Sequence, residues 1–479
     1  MATKKLESQL LTFTFDGKTL VDVECNIEVN DDSQWKEILI TSRDLQLVVI
    51  QDEENISVKI VHVGGKGDVV KSTEINNASV RGFSVTFGMS GGIRFYLYPR
   101  DVYIHQRVSA ASGKTKTTLN YYINKSPMIS PYYRLTPNEK GEVKREVSPP
   151  LSFLLDKNLK LSSEVSFTYN LKGDHFESDR YQVLKLNIRK RKDNFEYIKN
   201  TITPKVKDFL MLVSFLHDSK VNFTSWRVEC DGFYTWYYKS QGVKANPIEE
   251  NPAKGLINKQ DLEAFINKCL PIYQASEYKR SIDNAIHTLT LDRNNIIELS
   301  FLSYFQALES IILTFRRLTN TELIFPNNVF RKLRRTIEKA IDTNTQENQE
   351  VVRKLKNKIG ELNRVSLKDA TDDFHANHEI NLNDIWPLFD DKPNGVIGLN
   401  TIRNVLIHGD LLPSEKLRSV AIACQHLRVL LIRYVFTLLG WDCNKTKVSN
   451  EYLITRNPLF GPETLKEALF DIHSYFITK

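Results

Sequence analysis

Several signatures of common enzyme classes are missing from this sequence of 479 residues. Its five cysteines form no CxxC pair, so neither a disulfide scaffold nor a zinc site of the usual spacing is expected. It has no GxxxxGK[ST] loop, no dinucleotide-binding fingerprint and no GxSxG elbow. These absences argue against P-loop, dinucleotide-dependent and α/β-hydrolase chemistry, and they leave open a nucleotide site without a recognisable motif.

Long apolar runs and a strong charge bias are missing too. The most apolar stretch, Val429 to Trp441, is interrupted by Arg433 and is shorter than a membrane-spanning helix. The first residues lack the apolar core of a signal peptide. The net charge of +7 permits a polyanionic partner without requiring one. We therefore expect a cytoplasmic protein that does not contact a membrane.

The N-terminal part, residues 1–200, is rich in short runs with the alternation typical of strands. Turn-forming pairs such as Asp16-Gly17 separate several of these runs, a pattern that predicts a sandwich or an irregular barrel. The proline-flanked segment 126–150 is expected to be a long loop. Residues 201–257 are expected to form a connecting helix and an aromatic-rich hairpin.

The C-terminal part, residues 258–479, changes period, because its apolar residues recur at threes and fours. This predicts an all-helical bundle and an α+β multidomain protein overall. The predicted helices span residues 259–275, 278–289, 294–319, 329–341, 346–363, 399–408, 415–439 and 462–476.

The most informative segment is Arg403-Asn-Val-Leu-Ile-His408. Asn404 and His408 are four residues apart and share a helix face, and the long Arg403 side chain can curl back towards them. Gly409 follows as a suitable helix C-terminal cap. An imidazole, a carboxamide and a guanidinium together suit the handling of a phosphodiester. Spacing alone favours a structural role, with Arg403 in an ion pair and His408 at a helix end.

This segment resembles the signature of HEPN domains, a helical family with many RNA-cutting members. The signature is an Arg and a His separated by four to six residues, the first of them polar, and here four residues intervene. The upstream helix, Phe305 to Leu313, carries a single acid, Glu309, among apolar neighbours. A carboxylate in that setting needs a cationic partner, for which Arg403 is one candidate. The β-rich first half makes the chain most similar to ApeA-type HEPN proteins of bacterial anti-phage defence.

The resemblance implies an endoribonuclease that needs no metal and no other cofactor and that works as a homodimer or a dimer of dimers. Two copies of the motif helix would form one cleft. His408 would act as general acid or base in the attack of the RNA 2′-OH, Arg403 would neutralise the phosphorane-like charge, and Asn404 would orient the phosphate or the imidazole. The products would be 2′,3′-cyclic phosphate and 5′-OH ends. The N-terminal part would sense a phage-derived trigger or restrain the nuclease.

Basic clusters upstream of the motif are candidates for an RNA-binding surface. An ordinary solvated helix face is the alternative, since acids such as Glu338 are interleaved with them. The candidate RNA-binding residues are Arg331, Lys332, Arg334, Arg335, Arg353 and Lys354.

Other interpretations remain open at the level of the sequence. The two histidines of Asp372 to His378 have a spacing that can bind a metal, although a polar loop or helix end fits them better. The aromatic run Phe233 to Tyr238 suits base stacking or a hairpin core. The whole chain is alternatively a non-catalytic HEPN protein that binds RNA or protein as a scaffold, or a toxin paired with an antitoxin or a nucleotidyltransferase.

Overall fold

The structure is a computed structural model that divides into two compact units. The first comprises residues 1–213 and 221–253, and the second comprises residues 214–220 and 254–479. The segment 201–257, set apart as a connection by the sequence, is therefore divided between the two units. The residues that the structure describes are 3–30, 37–51, 53–63, 69–87, 91–107, 116–124, 126–131, 133–137, 143–147, 150–172, 175–189, 194–230, 233–239, 255–291, 296–344, 349–391, 393, 395–409 and 412–478.

The first unit is built mainly from strands, as the alternating runs predict. Its strands are β1 Thr3–Phe15, β2 Lys18–Asn30, β3 Ile38–Ser42, β4 Ile56–Val63, β5 Val69–Thr86, β6 Gly92–Tyr98, β7 Asp101–Arg107, β8 Lys116–Ile123, β9 Tyr133–Pro137, β10 Val143–Val147, β11 Leu151–Asp156, β12 Leu159–Lys172, β13 His175–Arg189, β14 Phe223–Cys230 and β15 Phe233–Lys239.

Six of these strands close into a barrel. They lie in the order β5, β4, β1, β2, β3 and β6, and β6 pairs back onto β5. The barrel interior is filled because alternate side chains point inward: Leu11, Phe13 and Phe15 of β1 are all buried. Of the two β architectures that the sequence allows, the described strands form the barrel.

The remaining strands extend the sheet beyond the barrel in the order β7, β15, β14, β8, β13, β12 and β11. The aromatic run lies in β15, where Tyr237 and Tyr238 are buried, so this part of it serves the core. The expectation of a loop over 126–150 is wrong in part, since β9 and β10 pair antiparallel there. Backbone pairing forms this hairpin from two strands of five residues each.

The second unit is helical, as the change of period predicts. The helices of the chain are α1 Asn194–Tyr197, α2 Thr203–His217, α3 Leu262–Ala275, α4 Lys279–Thr290, α5 Ile297–Leu318, α6 Asn327–Asn344, α7 Gln349–Lys358, α8 Leu367–His378, α9 Leu399–Ile407, α10 Leu417–Leu438, α11 Asn450–Arg456 and α12 Pro462–Thr478. The sequence pattern misses α8 and α11. In α8 only Ala370, Thr371 and Phe374 are buried, so its polar composition hides the helical period.

The central helix of the second unit is α10, against which α4, α5 and α12 pack. Among the described residues, the one helix long and apolar enough to cross a membrane is Ser414–Leu438, which includes α10. The Val429 to Trp441 run taken from the sequence is shorter than this helix. Since 78% of the most apolar window is buried inside the protein, the packing of α10 as a core helix accounts for its composition.

Candidate functional site

The motif segment forms α9, and neighbouring groups fix both of its ends. The Asp390 carboxylate accepts hydrogen bonds from the Gly398 N–H and the Thr401 hydroxyl, both at 2.8 Å, at the start of the helix. A Cβ at Gly398 would lie 2.3 Å from the Phe389 carbonyl carbon, so this close approach requires glycine. At the other end Gly409 has a φ of +80°, the left-handed conformation of a helix cap. The predicted helix and its cap are therefore confirmed.

The Arg403 guanidinium is held on three sides. Its Nη2 donates to Glu309 Oε1 at 3.0 Å and Oε2 at 3.2 Å, and its Nη1 donates to Asn404 Oδ1 at 3.0 Å. Its Cζ lies 5.6 Å from the centre of the Phe305 ring. The pairing of Arg403 with Glu309 that the sequence suggests as one possibility is thus present, and it joins α9 to α5.

This ion pair is only partly buried. The side chains of Arg403 and Glu309 are 28% and 29% exposed. A guanidinium has five N–H donors in a fixed plane, and the contacts above leave some of them available. The fixed orientation and the open side together make Arg403 a pre-positioned cation.

His408 stands outside this cluster of hydrogen bonds. It is the C-terminal cap of α9, and its backbone N–H donates to the Asn404 carbonyl at 3.1 Å. Its side chain is exposed, and no described residue forms a hydrogen bond or ion pair with the imidazole. The structure therefore brings together Arg403, Asn404 and Glu309 within one chain, while the His408 imidazole is free to meet a ligand.

Exposed aliphatic side chains lie beside the ion pair. Leu313 follows Glu309 by four residues on α5 and is 40% exposed, and Ile407 follows Arg403 by four residues on α9 and is 52% exposed. Residues four apart share a helix face. Each member of the ion pair is thus followed, one turn later, by an apolar side chain that the described residues leave partly exposed.

The six candidate RNA-binding residues lie on α6 and α7, and all are exposed. Two of them form ion pairs within a helix, Arg334 with Glu338 at 2.7 Å and Lys354 with Glu350 at 2.8 Å. The other four have no acidic partner among the described residues: Arg331, Lys332, Arg335 and Arg353.

One side of α6 carries a row of unpaired cations. Arg331, Arg335 and Lys339 are spaced four residues apart, about 6 Å along the helix axis, and none of them pairs with a described acid. The apolar residues Leu333 and Ile337 face another side. Arg331 and Arg335 are among the candidates from the sequence, whereas Lys339 is not, although the four-residue spacing identifies it.

The two histidines of the predicted polar segment lie in α8. The His375 imidazole hydrogen-bonds to the Tyr434 hydroxyl, and the His378 ring lies 4.5 Å from that of Phe374. Burial lowers the pKa of His375 to about 4 and also lowers the pKa of His378. No cluster of three or more His, Cys, Asp or Glu with metal-binding geometry occurs in the described part of the chain. Of the loop and the helix end that the sequence allows here, the structure shows the helix end, since α8 ends at His378 and both histidines are half-buried in its last turn.

Comparisons with known proteins give no assignment. No protein-family model matches the chain, and no curated protein matches it. One solved structure with a local likeness is described as "Crystal structure of Hcp protein". It is 11% identical, the match covers 23% of this chain and 71% of that chain, and the TM-score is 0.14. A likeness this weak carries no argument about fold or function.

Proposed function

We propose that this chain is a metal-independent endoribonuclease of HEPN type. The observation that carries the proposal is the arrangement on α9, where Arg403 is clamped by Glu309 and Asn404 and the His408 imidazole is exposed without a partner. A fixed cation and an accessible proton carrier are the two groups that phosphodiester cleavage by an internal nucleophile needs.

In the proposed reaction the RNA 2′-oxygen forms a bond to the adjacent phosphorus, and the bond from phosphorus to the 5′-oxygen breaks. One His408 imidazole takes the proton of the 2′-OH, and a second imidazole gives a proton to the leaving 5′-oxygen. Arg403 balances the negative charge that develops on the phosphorane oxygens. The products are a 2′,3′-cyclic phosphate and a 5′-OH, and DNA is not cut because it lacks the nucleophile.

A two-fold dimer would supply both imidazoles to one cleft. The exposed Leu313 and Ile407 support this, because an apolar rim around a charged pair is a surface that a second copy can cover. A two-fold axis beside α9 would place one copy's Arg403 near its partner's motif. The unpaired cations of α6 would track the RNA phosphates outside the cleft.

We further propose that the chain acts in anti-phage defence, with the first unit restraining the nuclease until a phage component binds. An unrestrained ribonuclease is harmful to the cell that makes it, which motivates the division between the two units. Cleavage by the whole chain should then rise when lysate from infected cells is added. An unchanged rate with every lysate fraction would remove the regulatory part of the proposal.

The chemistry is tested with purified protein and a defined RNA in the presence of EDTA. We expect cleavage to continue, to leave cyclic-phosphate ends, and to stop when the nucleotide 5′ to the cleaved bond is replaced by its 2′-deoxy form. The His408→Ala variant, purified in parallel, controls for contaminating nucleases. Loss of cleavage in EDTA, or 3′-OH ends, would contradict the proposal.

The alternative is a non-catalytic scaffold, and one observation favours it: the Arg403–Glu309 pair is already satisfied without a ligand. Mixing the wild-type protein with an inactive variant separates the alternatives and tests the shared cleft. If each cleft needs the His408 imidazoles of both chains, an excess of His408→Ala protein should lower the cleavage by the wild-type protein, because the heterodimers lack one imidazole. A scaffold would show no His408-dependent cleavage in any mixture.

A further inference from the structure

A cavity of about 480 Å³ lies in the second unit, and none of its lining residues belongs to α9. One wall is formed by α12, whose residues Pro462, Leu465, Leu469 and His473 line it at the three- and four-residue spacing of a helix face. The adjoining side of α12, with Ala468 and Ile472, is buried in the bundle. The helix thus has a second apolar face that the fold itself leaves open, and the volume is in the range of small-molecule sites.

The walls of the cavity are fixed rather than loose. Gly395 has a φ of +65°, and a Cβ there would lie 3.1 Å from the His473 ring, so the loop backbone rests directly against that imidazole. Asp384, which also lines the cavity, is held by both terminal nitrogens of Arg433. A rigid wall of this kind favours a pre-formed binding site.

The residues that line the cavity carry one unmatched positive charge, on Lys466. The Asp384 carboxylate is matched by Arg433, whereas Lys466 is exposed and pairs with none of the acids that the structure describes. Glu463 and Glu467 lie on α12 but do not line the cavity. An anionic group on a ligand would therefore find an unmatched ammonium at the edge of an apolar space.

Two polar atoms of the lining residues lack partners. His473 Nδ1 and Asn450 Oδ1 are both buried and form no hydrogen bond with any described group. Buried polar atoms without a partner are uncommon and unfavourable in folded proteins. Both atoms lie beneath the accessible surface of the cavity, so a ligand in the cavity does not contact them.

We propose that this cavity binds a small amphipathic anion, with an apolar body against Leu469 and Phe470 and an acidic end paired with Lys466. The site is separate from the proposed nuclease site, and its occupation would stabilise the packing of α12 on α10. The proposal does not depend on whether the chain cuts RNA.

The proposal is tested by calorimetric titration of the full-length protein with decanoate and with the uncharged 1-decanol. We expect saturable one-to-one binding of decanoate and a rise in melting temperature of roughly 5 °C at about a hundred times the dissociation constant. The Lys466→Gln variant should bind decanoate about fivefold more weakly, as expected for a partly exposed ion pair, and should bind decanol unchanged.

Filling the cavity with Leu469→Trp should abolish binding of both ligands. Binding that survives Leu469→Trp in a folded protein would place the ligand on another surface and overturn the proposal. If that variant does not fold, the Lys466→Gln comparison decides alone. Equal affinity of the wild-type protein for decanoate and decanol, or no saturable binding, would overturn the proposal as well.

Discussion

Two consecutive helices of the second unit, α9 with its cap residue His408 and α10, use an arginine and a histidine in opposite ways. On α10, Arg433 and its partner Asp384 are 5% and 4% exposed. On α9, Arg403 and Glu309 are 28% and 29% exposed. The histidines follow the same division, since His426 is buried and His408 is exposed.

The number of donors in use separates the two arginines. Every nitrogen of the Arg433 guanidinium is committed: Nη1 and Nη2 donate to Asp384 at 2.8 and 2.6 Å, and Nε donates to the Val448 carbonyl at 2.9 Å. Arg403 uses one nitrogen for its carboxylate and one for Asn404. We infer that Arg433 holds the fold, whereas Arg403 has donors left for a ligand.

The largest effect on stability is expected at Arg433. Arg433→Met leaves the Asp384 carboxylate buried without a counter-charge, which should lower the free energy of unfolding by about 3–5 kcal/mol. Arg403→Met should lower it by less than about 1 kcal/mol, because that pair is partly exposed. Chemical denaturation followed by circular dichroism measures both values. Similar losses of stability in the two variants would contradict the inference that Arg433 holds the fold and Arg403 does not.

For the rate of cleavage, the large effect is expected at Arg403. Arg403→Lys keeps a positive charge but loses the planar fork that contacts Glu309 and Asn404 while facing a phosphate. Cleavage should fall about a hundredfold, as when a single transition-state donor is removed, with little change in stability. Single-turnover rates on a defined RNA give the comparison. Full activity in the lysine variant would leave Arg403 with only a structural role.

The buried His426 should make the stability of the protein depend on pH. Burial lowers the pKa of His426 to about 4, and the neutral ring accepts from the Trp386 N–H at 3.2 Å through Nδ1 and donates to the Leu459 carbonyl at 3.3 Å through Nε2. The unfolded chain binds the proton at a pKa of about 6.5. This contribution to stability is therefore complete above pH 6.5 and declines as the pH falls towards 4.

Between pH 7 and pH 5 the loss through His426 should be roughly 2 kcal/mol. Chemical denaturation of the wild type and of His426→Gln at both pH values gives the change in the free energy of unfolding for each protein. The difference between the two changes is the contribution of His426. The glutamine variant should be less stable at pH 7 but should lose less stability on acidification. An equal loss in both proteins would show that His426 does not titrate in this way.

The smallest effect is expected on α6. Replacing Arg331, Arg335 and Lys339 with glutamine should weaken RNA binding about tenfold at physiological salt and flatten its salt dependence. The matched control replaces the paired cations Arg334 and Lys354, which should matter less because Glu338 and Glu350 already neutralise them. Filter binding at several salt concentrations measures both. Equal losses would favour a general charge effect over a defined row.

The sequence predicts local features of the second unit better than its long-range pairs. The bounds of α9 and the cap at Gly409 follow from neighbouring residues, and the lone acid Glu309 already indicates a need for a cation. The Arg433–Asp384 pair joins residues 49 apart, and in the sequence Arg433 only interrupts an apolar run. No local pattern could reveal its partner.

The same limit applies to the first unit. Alternation in the strands predicts a closed or layered β structure, but closure of the barrel depends on the pairing of β6 with both β3 and β5. The cavity beside α12 is likewise formed by segments distant in sequence, including Gly395 and Asn450. Such features arise from tertiary packing and cannot be predicted from the periodicity of the sequence.

The most direct test of the account is the rate of RNA cleavage by His408→Ala relative to His287→Ala, an exposed histidine in the last turn of α4. Both variants should keep the wild-type melting temperature. We predict that His408→Ala loses at least about a hundredfold in rate, as expected for removal of a general acid or base, while His287→Ala cleaves as the wild type does. Cleavage by His408→Ala at the wild-type rate would contradict the claim that Arg403 and His408 carry the chemistry.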